Sequence, residues 1–350
     1  MKVAIDVSPL SSGHKVRGVG FYLQNLKEAL LKYHSQHSYV FFDDFKDIPP
    51  DVDLVHFPYF EPFKLSLPLK NKYKTVVTVH DLIPIVFKKH FPSGVKGSLR
   101  WQIQKRSLSS VDAIITDSNS SKSDIRKTLE IDPNKIFVTY LAASSDFYRL
   151  SDPRKAEAIF EKYAVPKKFI LYVGDVTWNK NLVRIVEAVK KTKFNLVLVG
   201  KAVANKDYDR KNPWNKDLVG VSELIEGDER FFAVGFVSNE DLNFLYNKAS
   251  FLLIPSIYEG FGLPVLEAMQ SGCPVVTSQE GSLKEVAGDA AFFVDPFSVD
   301  SISRAVSKLM EDMKLKEELV KKGLKRAKEF SWEKTAGETI RIYERVDAQS

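Results

Sequence analysis

Short apolar runs alternate along this chain with longer stretches of helical periodicity. In the first half the runs are residues 3–7, 39–42, 54–57, 75–79, 113–116 and 135–138. In the second they are 169–173, 195–199, 231–234, 251–254, 274–277 and 291–294. Most are apolar throughout rather than alternating, which predicts strands buried on both faces. Between them, residues 21–33, 182–192, 239–248 and 299–311 carry the spacing of amphipathic helices. Strand–helix–strand repetition predicts an α/β protein with parallel sheets and helices on both faces.

The pattern restarts halfway. Each half opens with a strand, a glycine-bearing loop and an amphipathic helix: VAIDV then GVGFYLQNL, and FILYVG then NKNLVRIVEAV. A length of 350 residues suits two domains. The predicted division is a first domain over 1–150, a proline-bearing connection over 151–167 and a second domain over 168–331. A last helix over 332–346 is expected to return to the first domain. Two doubly wound domains are expected to bind ligand at the carboxyl ends of their strands, in the cleft between them.

Composition narrows the class. With 44% hydrophobic residues and one cysteine, the chain reads as a folded protein of a reducing compartment without an internal disulfide. No run approaches the ~18 apolar residues of a membrane span, and the opening MKVAID does not read as a secretory leader. A cytoplasmic location, with association at the inner membrane face, is the expectation. The net charge of +6 is uneven. Residues 1–150 hold 21 Lys/Arg against 15 Asp/Glu, whereas the remainder holds 30 of each. From 82 to 111 there is no acid, but Lys88, Lys89, Lys96, Arg100, Lys105 and Arg106 are present, interleaved with Phe87, Phe91, Leu99, Trp101 and Ile103. This stretch reads either as the solvated face of a core helix or as a surface for an acceptor or an anionic membrane. No nucleic-acid module is visible, so a nucleic-acid partner is not expected.

The most informative segment is PSIYEGFGLPVLEAMQ, residues 255–270. A strand ends, a loop with Gly260 and Gly262 follows, and a helix starts near Leu263 with Pro264 in its first turn. Such a helix start offers amides and a positive dipole end to an anion. Glu259 and Glu267 flank it. Two carboxylates beside an anion site suit a ligand with hydroxyls on both sides of a diphosphate.

This segment, with its Glu-x7-Glu spacing, resembles glycosyltransferase family 4, a family of retaining, nucleotide-sugar-dependent enzymes of GT-B fold. VHDLIP at 79–84, ITDSNSSKSDI at 115–125, FILYVGDVTWNKNL at 169–182, LVLVGK at 196–201 and FVSNEDLNFLYNKAS at 236–250 resemble family segments in the same order. The resemblance implies a hexosyltransferase, of mannose or glucose type, acting from a nucleoside diphosphate sugar onto a hydroxyl of a glycan or lipid-linked acceptor. It implies no metal and no cofactor beyond the donor. Glu259 and the amides of Gly260, Phe261 and Gly262 would bind the donor sugar and phosphate. Glu267 would bind ribose, Lys180 would neutralise the diphosphate, and His80 would lie beside the sugar. Gly18 and Gly20 would form a loop near the phosphates or acceptor. Gly174 and Val237 would line the donor, Val237 contacting the base through backbone. The family's Arg-Lys-Asn reads Asn179-Lys180-Asn181 here, and Lys201 or Arg17 would replace the missing arginine.

Blander readings accompany these. His80 can be a structural histidine and Lys180 a solvated one, since Asn-Lys-Asn also caps helices. Cys273 reads as a small buried residue rather than a nucleophile. Asp51-Val52-Asp53 reads as a strand-entry loop rather than a metal motif. Two other functions compete: a nicotinamide-dependent oxidoreductase using Gly18-Val19-Gly20 and Asp43, and a non-catalytic two-domain sugar-binding protein. The first requires glycines at the strand–helix turn itself.

Overall fold

A computed structural model of the chain describes residues 1–11, 18–68, 72–205 and 207–348. It divides into two compact units, Met1–Ala142 with Phe330–Ser350, and Ala143–Glu329. Arg17 lies outside the described residues.

In the first unit β1 (Lys2–Asp6), β2 (Ser38–Phe42), β3 (Leu54–Phe57), β4 (Lys74–Thr78), β5 (Ala113–Thr116) and β6 (Ile136–Val138) form a parallel sheet in the order β2-β1-β3-β4-β5-β6. In the second, β7 (Ile170–Val173), β8 (Leu196–Val199), β9 (Phe231–Gly235), β10 (Leu252–Ile254), β11 (Val275–Thr277) and β12 (Phe292–Phe293) are also parallel, in the order β12-β11-β10-β7-β8-β9. The apolar runs have thus become strands, with ends moved by a residue or two. All four residues of β3, β5, β7 and β8 are buried, as unbroken apolar runs require.

The winding order places the candidate ligand edges. Successive strands of the second unit proceed one way from β7 to β9 and the other way from β10 to β12. The first unit reverses between β1 and β3. A crevice opens at the carboxyl ends of the strands where winding reverses. In the second unit that point is β7/β10, and the loops after these strands carry Lys180 and Glu259.

Helices cover the sheets with their apolar faces. Helix Leu182–Lys190 buries Ile185, Val186 and Val189 against β8, β10 and helix Val299–Glu311 in one core. Each such side chain contributes about 1.5–3 kcal/mol by leaving water. The first unit's core gathers Val55, Phe57, Val77, Val79, Ile114 and Ile125. The last helix, Trp332–Asp347, is part of this unit. Ser331 caps it, the Thr335 hydroxyl donates to the Tyr140 carbonyl at 2.7 Å, and the Tyr343 hydroxyl meets His56 Nδ1 at 2.6 Å. The same His56 contacts Thr78 Oγ1 through Nε2 at 2.8 Å, and Tyr22 contacts that hydroxyl at 3.0 Å. Burial, with His80 nearby, pushes the His56 pKa down to about 3.

Four local details differ from expectation or refine it. Gly18 and Gly20, expected in a loop, are the first and third residues of helix Gly18–Tyr33. The first amides of a helix have no intrahelical partner, so glycine costs less there than mid-helix. Stretch 151–167, expected as a connection, packs within the second unit: Lys162 and Tyr163 both donate to Asp241 at 2.7 Å, and Lys248 pairs with Glu157. Asp51 and Asp53 grip the start of β1, taking the Lys2 ammonium at 2.7 Å and the Lys2 amide at 2.6 Å. Cys273 is buried, and burial pushes its thiol pKa up to about 12. Among the described residues no helix is long and apolar enough to cross a membrane.

Candidate functional site

Glycine sets the rim of the second sheet. Gly174 and Gly200 follow β7 and β8, and Gly235 ends β9. A Cβ at Gly200 would stand 2.1 Å from the Gly174 carbonyl oxygen, so these strand ends approach as no other residue allows.

The loop after β10 is fixed from two sides. On one side, Ile257 donates its amide to the Asn179 carbonyl at 2.7 Å, and Asn179 Nδ2 donates to the Tyr258 carbonyl at 3.0 Å. On the other, the Ser278 hydroxyl donates to the Ser256 carbonyl at 2.6 Å. The Ser282 hydroxyl reaches the carbonyls of Glu259 and Phe261 at 3.0 and 2.7 Å. Gly281, at φ +59°, completes this clamp: a Cβ there would lie 2.7 Å from the Glu259 carbonyl oxygen. Gly262, at φ +98°, turns the chain into helix Leu263–Gln270.

Within this frame Lys180 and Glu259, 79 residues apart in sequence, form a two-pronged ion pair, Nζ lying 2.8 Å from both carboxylate oxygens. The Ser256 hydroxyl donates to the same carboxylate at 2.7 Å. Side-chain exposure is 7% for Glu259 and 20% for Lys180. The cation is therefore held ready at a buried rim, with one face toward solvent. Glu267 sits in the following helix, where Tyr246 donates to it at 3.0 Å; burial pushes its pKa up to about 7.

The structure thus gathers Lys180, Glu259, Gly260, Phe261, Gly262 and Gly174 in the loops after β7 and β10, with Glu267 in the helix that follows. Val237 lies in the loop after β9 with its side chain buried, while its neighbour Phe236 is 57% exposed. Lys201 is exposed in the turn after β8. Asn179, the position for which the sequence resemblance implied an arginine, serves the frame: buried, with its amide tying the two loops. Sequence reasoning missed Gly281, Ser278 and Ser282. Their signal, small residues after a short strand, is shared by any turn.

The first unit has its own carboxyl edge. His80 follows β4 and Asp117 follows β5; Nδ1 lies 2.7 Å from Asp117 Oδ2, and Tyr22 packs edge-on at 4.7 Å. Burial disfavours a charged imidazole here. The Asp117 carboxylate more than offsets this, with Asp81 and the Pro58 carbonyl adding to it, so the His80 pKa is raised. At the winding reversal of this sheet a crevice of about 340 Å³ is lined by Asp6, Asp43, Glu61, Phe45 and Tyr59, among others. Burial, with Asp43 nearby, raises the Asp6 pKa.

Comparison with known proteins places the chain. Residues 155–326 match the family model "Glycosyl transferases group 1", and residues 16–144 match "Glycosyltransferase Family 4". O-antigen chain mannosyltransferase B of Escherichia coli is 33% identical over 282 residues, 77% of this chain and 70% of its own length. Serotype-specific mannosyltransferase WbdA of Escherichia coli is 26% identical over 86% of this chain, which spans 37% of that longer protein. Among solved structures, sucrose-phosphate synthase from Thermosynechococcus elongatus superposes with a TM-score of 0.77 at 20% identity, covering 100% of both chains. Anabaena Alr3699/HepE in complex with UDP-glucose gives 0.71 at 16% identity, covering 99% of this chain and 100% of that one. The likeness of these structures fixes the fold as GT-B. With two adjoining family models spanning most of its sequence and a relative one-third identical over three quarters of it, the chain belongs to the group 1 glycosyl transferases and is a glycosyltransferase.

Proposed function

We propose that the chain is a retaining hexosyltransferase, of mannose type, that uses a nucleoside diphosphate sugar and transfers onto a hydroxyl of a glycan acceptor. The observation that carries this is the Lys180–Glu259 pair, set at the winding reversal of the second sheet beside a helix start. Breaking a glycosyl–phosphate bond develops negative charge on the diphosphate and positive charge on the sugar. Lys180, released from Glu259 by the incoming donor, would take the first, together with the amides of residues 260–262. Glu259 would then accept hydrogen bonds from sugar hydroxyls and position the sugar. Same-face attack by the acceptor, with no enzyme nucleophile, accounts for retention without a second carboxylate at bonding distance. Glu267 would hold ribose, Val237 would meet the base through backbone, and His80 is the first unit's candidate for a sugar contact. No metal is required by this scheme. The mannosyltransferase names of the relatives and the UDP-glucose in the Anabaena protein favour such a donor.

Two features of the first unit speak to the acceptor. The crevice at β1–β3 pairs the aromatic faces of Phe45 and Tyr59 with the carboxylates of Asp6, Asp43 and Glu61. That chemistry suits the apolar faces and hydroxyls of a neutral glycan and repels a phosphate. Stretch 82–111 exposes Val95 (89%) and Leu99 (64%) beside Lys96 and Arg100 on helix Gly94–Ser109, which suits peripheral contact with an anionic, cytoplasm-facing bilayer. The test is a panel of UDP-, GDP- and ADP-sugars, read by thermal shift and by donor hydrolysis, with Lys180→Ala and Glu267→Ala as comparisons. One donor should stabilise the wild type in proportion to its concentration, and both variants should lose it. Absence of binding by every nucleotide sugar, or variants equal to wild type, would overturn the proposal.

A further inference from the structure

The flank of the first unit holds a second place with ligand chemistry. Where edge strand β6 runs between helix Asn119–Leu129 and the last helix, a groove of about 440 Å³ is lined by Lys122, Arg341 and Arg345, with Asn119, Thr139 and Glu338. Its volume falls within the roughly 300–1,000 Å³ of small-molecule sites. None of the three cations makes an ion pair with a described residue, although Arg345 rests over the Phe137 ring at 5.0 Å. Three cations against the single carboxylate of Glu338 leave an excess of positive charge, which raises the local concentration of anions. A second observation is independent of charge. Thr139 is 2% exposed, and its hydroxyl has no hydrogen-bond partner. A buried hydroxyl without a partner is rare, because folding removes its water without replacing it. Thr139 lines the groove, so a rotation of its side chain that uncovers the hydroxyl would let an occupant supply the missing bond. Glu338 adds discrimination: half-buried, with its pKa raised by burial, it cannot bind phosphate but accepts hydrogen bonds from hydroxyls.

We propose that this groove binds a phosphate ester of a polyhydroxyl compound, a sugar phosphate or a phosphoinositol headgroup, separately from any nucleotide-sugar site. Lys122, Arg341 and Arg345 take the phosphate. Thr139, Asn119 and Glu338 take hydroxyls. The assignment does not depend on the identity of the donor.

The experiment is calorimetry on the whole chain at low salt with mannose 6-phosphate, mannose and inorganic phosphate. A parallel flotation assay uses phosphatidylcholine vesicles with and without phosphatidylinositol. Mannose 6-phosphate should bind at least about tenfold more tightly than mannose or inorganic phosphate, more weakly as salt rises. If the source is a lipid, vesicle binding should require phosphatidylinositol. Arg341→Gln with Arg345→Gln should weaken whichever binding is seen by about tenfold or more, as expected for charge-assisted hydrogen bonds. Because Arg345→Gln also loses a ring contact, Arg341→Gln alone is measured beside it, with the unfolding midpoint of each. Thr139→Val should weaken the ligand while leaving the unliganded protein as stable or more so, an outcome a purely structural threonine would not give. The proposal is overturned if neither the soluble nor the vesicle probe binds, if the arginine variants bind within twofold of wild type, or if inorganic phosphate matches mannose 6-phosphate.

Discussion

Replacing Lys180 by Met should cost stability as well as activity, and a second substitution should return only the stability. Lys180 is the cation at bonding distance from both oxygens of a carboxylate that is 7% exposed. Removing one partner of a buried pair costs about 3–5 kcal/mol, because the other charge stays buried without compensation. Lys180 is itself 20% exposed, and Glu259 keeps the Ser256 hydroxyl at 2.7 Å. Both lower the expectation, to about 2–3 kcal/mol. Adding Glu259→Gln to Lys180→Met removes the stranded charge and should bring stability to within about 1 kcal/mol of wild type, a coupling of about 2 kcal/mol. Transfer activity should stay lost in the double variant. The assay is urea unfolding followed by tryptophan fluorescence, fitted as two transitions because the chain has two units. Trp178 and Trp214 report the second unit, Trp101 and Trp332 the first. Only the second unit's transition should move. The reasoning fails if Lys180→Met lies within about 0.5 kcal/mol of wild type, or if Glu259→Gln does not restore the loss.

Donor affinity should rise with pH through about 7, where Glu267 ionises: as a carboxylate it is the stronger acceptor for ribose hydroxyls. The ionised fraction grows from about one tenth at pH 6 to about nine tenths at pH 8, so calorimetry should show up to about ninefold tighter binding. Glu267→Gln should flatten the curve, and a flat wild-type profile would refute the role. The same group makes the unliganded protein less stable as pH climbs from about 4.5 to about 7, since its folded pKa is above its unfolded value. Gly281→Ala should cost about 1–3 kcal/mol and reduce transfer, since its Cβ would press on the Glu259 carbonyl at a positive φ; an unchanged midpoint would show that the clamp gives way freely. Neutralising Lys88, Lys89, Arg100 and Lys105 together should weaken flotation with anionic vesicles and spare nucleotide-sugar binding; equal loss of both would break the separation.

How much of this was legible in the sequence depended on range. All twelve strands could be read as short apolar runs, most plainly β3, β5, β7 and β8, where burial on both faces is written into four consecutive residues; the edge strands β2, β6, β9 and β12 are only partly buried but keep apolar residues. The winding order could not, since it depends on which strands pair across the chain. Glu259, Gly262 and Glu267 were legible because the motif lies on one loop and one helix, whereas the pairing of Glu259 with Lys180 spans 79 residues. Gly18 and Gly20 were misplaced because glycines before an apolar periodic run look like a loop whether or not the helix has begun. Asp6, Asp43 and Glu61 follow three different strands and meet only once those strands pair. The closing helix brings Arg341 and Arg345 to β6, a neighbour no local pattern announces.

The uneven charge shows why local placement outranks a total. The first 150 residues carry the whole +6 excess, which by itself would point to an anionic acceptor. Yet the crevice at that unit's winding reversal, where the fold offers a ligand site, is lined by three carboxylates and one lysine, Lys64, and Lys64 is paired with Glu61 at 2.9 Å. Positive residues of that stretch lie elsewhere: Lys96, Arg100 and Arg106 on the exposed side of helix Gly94–Ser109, and Lys122 in the groove at β6, where Arg341 and Arg345 of the last helix join it. Electrostatic interactions between exposed charges fade beyond about 10 Å at ordinary salt, so each place acts through its own groups. A neutral glycan in the crevice, an anionic surface against the helix and a phosphate ester in the groove are therefore compatible on one domain, and each answers to a different set of substitutions.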